Sequence, residues 1–429
     1  MPSGYIRRVV DDELDALFPG LVAVSIEGAK AVGKTATALQ RARTVYRLDD
    51  DRQRELIQAD SGRLLEGARP ILIDEWQRHP ASWDLVRREV DRPVSAPGSF
   101  LLTGSATPAA GVPVHSGAGR IVSVRMRPLT LGERGLARPT VSLAGLLEGG
   151  RQALAGETDV RLADYANEIL ASGFHGLRGL PARALRAQLD GYISRLVERE
   201  FRQLGLNVRN PAALRRWLTA YAAASSTTAK YETIRDAATG GEGEKPSKVT
   251  IGQYRDTLER LWVVDPVPAW APTRNHLRRL SLGPKHQLVD PALAARLTGV
   301  GIGGLLQGAD TPSAAAIPRD GTFLGALFES LVTNDVRVYA QAAEATVGHL
   351  RTAGGEREID LIVGRADGRV LAIEVKLSAT VEDDHLNHLK WLGERIGDDL
   401  LDVVVINTGP YAYRRRDGIA VIPAALLGP

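Results

Sequence analysis

Three apolar runs near the start of the chain each end in polar or acidic residues. They are Leu21–Ile26, Pro70–Ile73 before Asp74-Glu75, and Phe100–Leu102 before Thr103-Gly104-Ser105. Strands buried on both faces read as continuous apolar runs, so the pattern predicts a parallel sheet with helices on either side. A further strand is expected at Ile121–Val124. Between 141 and 207 apolar and charged positions recur at helical spacing, as in Leu162–Leu170 and Leu185–Leu196, with Gly173, Gly176, Gly179 and Pro181 as breaks. Pro211–Ala222, Lys230–Ala238 and Lys248–Trp262 read as three more helices, ahead of an extended Val263–Trp270. From Gly321 the pattern becomes one helix, a hairpin ending Glu356–Val363, and a strand Arg369–Ser378. The expected class is α/β in four parts: a parallel-sheet core over 1–140, a helical lid over 141–207, a helical module over 208–300 and a mixed α/β domain over 315–429. A Gly-rich link at 240–247 and a Gly/Ala/Pro-rich stretch at 299–318 fall between the patterned segments.

The first apolar run is followed by Gly28-Ala29-Lys30-Ala31-Val32-Gly33-Lys34-Thr35 and then by Ala36 and a helical pattern. Glycines let backbone N–H groups curl around phosphates, a lysine reaches the β- and γ-phosphates, and a threonine hydroxyl reaches Mg²⁺. ATP and Mg²⁺ are therefore the expected cofactors, with residues 28–36 as the cradle, Lys34 as the cation and Thr35 as a metal ligand. Asp74 is the second expected ligand, and Glu75 the group that polarises the attacking water. Thr103 or Ser105 would orient water near the γ-phosphate. Arg120 is the candidate to reach a neighbouring subunit's nucleotide, which would make a homo-oligomer, with a solvated surface arginine as the alternative. Arg178 and Arg183 are weaker candidates from the lid.

The order of glycine loop, Leu72-Ile-Asp-Glu-Trp-Gln77, Leu101-Leu-Thr-Gly-Ser105, Gly119-Arg120 and Arg127-Pro-Leu-Thr-Leu-Gly-Glu133 resembles AAA-type ATPases joined to a DUF4143 region. The resemblance covers essentially the whole chain. It implies an AAA+ P-loop core of about five parallel strands with helices on both faces, and it names no substrate. That family's loop usually carries Pro-Arg-Gln where this chain has Ala29-Lys30-Ala31.

The module over 208–300 reads as a helix-turn-helix with a wing, in which Lys248, Thr250, Gln253 and Arg255 would face a DNA groove. A plain interdomain spacer is the alternative. Asp290 is expected to be a turn or cap residue. In the last domain Glu374 and Lys376 are two apart on one strand and so share a face. Burying both is costly unless they are paired, hydrated or bound to a metal. With Asp360 on the preceding strand and Glu329 on the helix, the set resembles the PD-(D/E)xK nuclease pattern. That resemblance implies Asp360, Glu374 and Glu329 as Mg²⁺ ligands and Lys376 as the residue that steadies the attacking water. The alternative is a degraded copy that binds DNA or a partner without cutting.

Composition narrows this only slightly. The formal net charge is +3, weak support for nucleic acid over the whole chain. The absence of cysteine excludes disulfides, thiolate metal sites and cysteine nucleophiles, and is compatible with a reducing cytoplasm. No apolar run is long enough for a membrane span, so no membrane partner is expected. The expected function is an ATP-hydrolysing protein that acts on DNA with a Mg²⁺-dependent endonuclease-like domain; the alternative is a nucleotide-gated scaffold or regulator.

Overall fold

The computed structural model describes residues 4–106, 117–206, 208, 210–239, 246–273, 282–306, 321–352 and 354–429. Residues 240–245 of the Gly-rich link and 307–318 of the Gly/Ala/Pro-rich stretch lie outside them. The first sheet contains β1 (Ala23–Glu27), β2 (Thr44–Arg47), β3 (Ile71–Asp74), β4 (Phe100–Gly104) and β5 (Ile121–Arg125), in the spatial order β2-β3-β4-β1-β5. All its pairings are parallel. Alternate residues serve opposite faces. Val24, Ile26, Leu72, Leu101 and Val124 enter one core; Ala23, Ile71, Ile73, Phe100, Leu102 and Ile121 enter another with Trp76 and Trp83. Because β4 lies between β1 and β3, the glycine loop, Asp74 and Thr103 all emerge at one edge.

Helices fill most of the middle of the chain: Leu162–Ala171, Ala182–Arg195, Pro211–Ala223, Tyr231–Ala237, Lys248–Arg260 and Pro291–Thr298. The helix ending at Arg195 continues through a π turn, Leu196–Glu200, into Phe201–Gln203. Where the sequence suggests a wing, two antiparallel bridges occur, Val264 with Leu288 and Val267 with Lys285. Asp290 caps the helix Pro291–Thr298 through the Ala292 N–H, and its other oxygen accepts from Ser172 Oγ at 2.7 Å and Gly173 N at 2.8 Å.

The last sheet combines β9 (Thr346–Arg351), β10 (Glu358–Gly364), β11 (Val370–Val375), β12 (Leu400–Asn407), β13 (Tyr411–Arg414) and β14 (Ala420–Pro423). It also takes β7 (Gly156–Glu157) and β8 (Ala269–Trp270) at its two ends, while β15 (Leu427–Gly428) pairs with β6 (Val141–Ser142). The stretches read as lid and helical module therefore also lend edges to the C-terminal sheet. Its centre runs helix Gly321–Ala342, β9, β10, β11, helix Asn387–Ile396, β12, with β9–β11 antiparallel and β12 parallel to β11.

The helix Gly321–Ala342 is pinned to the first unit by Asp335, whose Oδ2 accepts from the Leu131 N–H at 3.1 Å. Burial pushes this carboxyl up to about 7, with Arg134 only partly opposing. An acid raised in the folded state binds its proton more tightly there, so stability falls as pH rises from about 4 to 7. Asp335→Asn keeps an acceptor without the buried charge. It should melt at a higher temperature than the parent at pH 8 and no higher at pH 4, as read by thermal melts across that range.

Candidate functional site

The loop after β1 turns sharply. Gly28 has φ +151°, and a Cβ there would lie 2.2 Å from the Met126 carbonyl oxygen, so only glycine fits. Ala31 and Gly33 are left-handed at φ 70° and 108°. Lys34 is buried, and its Nζ donates to the carbonyls of Gly28 at 2.9 Å and Ala29 at 2.8 Å. Burial pushes its ammonium down to about 8, against the pull of Glu75 and Asp74. Thr35 Oγ1 donates to Asp74 Oδ1 at 2.7 Å, and Thr103 Oγ1 donates to the same oxygen at 2.5 Å. Glu75 is left-handed at φ 55°, and its N–H donates to Thr103 Oγ1 at 3.2 Å. Its carboxylate Oε2 accepts from Gln77 Nε2 at 2.6 Å and Ser105 Oγ at 2.9 Å. Lys34, Thr35, Asp74, Glu75, Thr103 and Ser105, each read separately from the sequence, thus converge on one edge. The Thr35 hydroxyl and Asp74 carboxylate form a hard oxygen donor set that fits a nucleotide-bound Mg²⁺.

A cavity of about 320 Å³ opens beside this edge, lined by Lys30, Ala31, Ser105, Tyr192, Arg195, Leu196, Glu200, Leu261 and Val263. One wall is the phosphate loop and the other is helical. Lys30 joins them through Glu200 Oε1 at 2.6 Å, from the π turn. Arg195 lines that second wall, its Nε donating to the Gly191 carbonyl at 3.2 Å. Arg178 instead pairs with Glu168 at 2.7 Å, and Arg120 with Asp91 at 2.6 Å. Neither Arg195 nor Gln77 stands out in the sequence, because each reaches the site only through the packing of its element. Arg195→Ala should lower kcat about tenfold while changing the affinity for ATP little, as expected when the lost cation acts mainly on charge developing in the transition state. Steady-state turnover beside nucleotide titration separates the two.

Arg8, from before the first helix, braces the loop. Its Nη1 donates to the Val32 carbonyl at 2.9 Å, and its Nε and Nη2 grip Glu133 at 2.9 and 3.2 Å.

The C-terminal acids also meet, but around lysines. Leu361 faces Ile373 across β10 and β11, which brings Asp360 beside Glu374 one step further along. Asp360 Oδ2 accepts from the Val375 N–H at 2.9 Å, and Lys376 Nζ donates to Glu374 Oε1 at 2.7 Å. Lys285 enters from the middle of the chain. Its Nζ lies 2.8 Å from Glu329 Oε1, 3.0 Å from Asp360 Oδ1 and 3.5 Å from Glu358 Oε1, and its side chain is 1 % exposed. Burial alone would lower the Lys285 ammonium; Asp360, Glu329 and Glu358 outweigh it and hold the group well above its ordinary range. Burial, then Asp360, push both Glu329 and Glu374 up to about 8. Among the described residues no three His, Cys, Asp or Glu side chains converge to hold a metal. Of the expected Mg²⁺ ligands, Glu329 Oε1 and Asp360 Oδ1 face Lys285 and Glu374 Oε1 faces Lys376, while Glu374 Oε2 is buried without a hydrogen-bond partner.

Of the residues expected to face DNA, Lys248 pairs with Glu232 at 3.2 Å, and Thr250 Oγ1 lies 2.9 Å from Ser247 Oγ at the helix start. Arg255 pairs with Asp256 at 2.8 Å and lies over the Tyr231 ring, while Gln253 is exposed. No described helix is long and apolar enough to cross a membrane.

Comparison with known proteins gives three family matches. An AAA domain matches residues 22–134, a domain of unknown function, DUF8612, matches 163–302, and another, DUF4143, matches 324–427. The chain is 26% identical over 357 residues to two mycobacterial proteins, "Uncharacterized protein Mb2031c" of Mycobacterium bovis and "Uncharacterized protein Rv2008c" of Mycobacterium tuberculosis. Each alignment covers 82% of this chain and 68% of the relative. Among solved structures, the Walker-type ATPase PABY2304 of Pyrococcus abyssi aligns with a TM-score of 0.41 and 15% identity, over 68% of this chain and 96% of that one. By the family matches, the first unit is similar to AAA domains and the last to DUF4143 domains.

Proposed function

We propose that this protein hydrolyses ATP in its first unit and uses that cycle to control how its C-terminal unit engages DNA. The observation that carries the ATPase half is the chain of hydrogen bonds from Thr35 to Asp74 to Thr103 to the Glu75 backbone, beside Lys34. Bound with the nucleotide, Mg²⁺ would neutralise charge on the β- and γ-phosphates, held by Thr35 and Asp74. Lys34 offers the phosphates an ammonium now satisfied by two loop carbonyls. Thr103 fixes the Asp74 oxygen and the Glu75 backbone together, so the Glu75 carboxylate has a defined place from which to take a proton from water.

Support for DNA is the order of helix, three antiparallel strands, helix and parallel strand around Asp360 and Glu374-x-Lys376. That order is similar to PD-(D/E)xK nucleases. The ion pairing of Lys285 favours engagement without cleavage over cutting. Full-length protein with Mg²⁺ should turn over ATP faster when DNA is added and leave plasmid DNA un-nicked. Turnover unchanged by linear, single-stranded and branched DNA, with no salt-sensitive retention of any of them, would remove the DNA half.

A further inference from the structure

We propose that Lys285 is a tethered cation filling the acid pocket of the C-terminal unit, so that a divalent ion enters this pocket only when that lysine is withdrawn or removed. This deepens the reading of the C-terminal unit as nuclease-like in build yet non-cutting, and rests on it.

The acids share one pocket, on two central neighbouring strands and the helix packed beside them, although no three of them converge on one point while Lys285 lies among them. What differs is the occupant. A buried group of carboxylates must be compensated, since an unpaired buried charge is costly. Glu329, Glu358, Asp360 and Glu374 are met by Lys285, Lys376 and Arg351, with Lys285 touching three of the four. An ammonium is satisfied at 2.8–3.5 Å from its oxygens, as found here. A Mg²⁺-sized ion needs oxygens converging at about 2.1 Å. The two occupants therefore exclude each other.

The lysine is held from the far side of the pocket. Its backbone exchanges two hydrogen bonds with Val267, each 2.9 Å. The next residue, His286, donates its N–H to the Thr227 carbonyl at 2.8 Å and lies edge-on to the rings of Tyr221 and Tyr231. Lys285 is thus delivered by the helical module rather than by the domain that owns the acids. A change in the Lys285 segment that leaves β8 paired with β9 would be enough to withdraw the cation. The same module lines the nucleotide-side cavity with Leu261 and Val263, and Val263 accepts the Val289 N–H at 2.8 Å just beyond the lysine.

The test is Mn²⁺ titration of nucleotide-free, full-length protein by calorimetry, with Asp360→Asn added to each form to isolate heat from this pocket. The parent should show no Asp360-dependent binding. Lys285→Ala should bind Mn²⁺ at least about tenfold more tightly than the parent, and Mn²⁺ should raise its melting temperature but not the parent's. Because Lys285→Ala leaves acids uncompensated, a second form, Lys285→Gln with Glu329→Gln, removes one charge of each sign and should also gain Mn²⁺ binding. Equal Asp360-dependent binding by the parent overturns the inference. So does the absence of binding in both variants, or failure of both to fold even with Mn²⁺. Mn²⁺ binding is read without DNA or ATP, so failure of the proposed function leaves a distinct signature: no DNA-dependent turnover in the parent.

Discussion

Glu75→Gln is expected to keep ATP bound while slowing hydrolysis by about 10²–10³-fold, the range for removing a positioned general base or a comparable catalytic group. The substitution is nearly isosteric. Its amide oxygen can still accept from Ser105 or Gln77, which now hold the carboxylate at 2.9 and 2.6 Å. The backbone N–H still reaches Thr103, so the hydrogen bonds that set Asp74 are intact. What is lost is the ability to take a proton from water. Lys34→Ala should fail differently, by losing nucleotide affinity, because it removes the loop's buried cation. Single-turnover hydrolysis with a fluorescent-nucleotide titration separates these outcomes. Undiminished single-turnover rate in Glu75→Gln would show that another group accepts the proton.

Asp265→Ala should be the most destabilising single change outside that site, costing about 3–5 kcal/mol, the range for breaking a buried ion pair from one side. Three guanidiniums surround this one carboxylate: Arg125 at 2.9 Å, Arg127 at 3.1 Å and Arg337 at 2.8 Å. They come from the first unit and from the helix Gly321–Ala342, while Asp265 belongs to the middle, so one group ties three parts together. Arg125 also lies 4.4 Å from the centre of the Trp262 ring, where a cation is stabilised by the aromatic face. Burial alone would raise the Asp265 carboxyl, but Arg125, Arg337 and Arg127 outweigh it and hold it well below the usual carboxylate range. A depressed acid contributes stability that is complete above its unfolded pKa and is lost as pH falls through its folded one. The difference between parent and Asp265→Ala should therefore be full at pH 7 and shrink only in strong acid. Urea midpoints at pH 7 and in strong acid measure it, and a shift under about 1 kcal/mol at pH 7 would refute this account. Removing Asp265 also leaves three cations facing one another, so the three parts joined there should loosen together.

The phosphate loop was legible because its chemistry is contiguous. Gly28, Gly33, Lys34 and Thr35 act through neighbouring backbone atoms, and their spacing along the chain is their spacing in space. Asp74, Glu75 and Thr103 were legible for a related reason: each ends an apolar strand, and parallel strands of similar length bring their ends to one edge. Strand alternation likewise puts Glu374 and Lys376 on one side. Arg120, expected to act on a neighbouring subunit, pairs with Asp91 on the surface of this chain.

Local pattern alone thus determined a nucleotide loop on a parallel sheet, helical middle segments, and a late α/β unit carrying acids beside a lysine. Tertiary structure decided who compensates whom. Lys285 lies 75 residues before Asp360, in a short stretch ahead of Asp290 that carries no acid-binding pattern, and Asp265 lies 138 residues after Arg127. Both are committed by burial: once water is excluded, a charge must find an opposite one wherever the fold has placed it. Charge pairing across packed units has no period and no fixed spacing, so it leaves no trace along the chain.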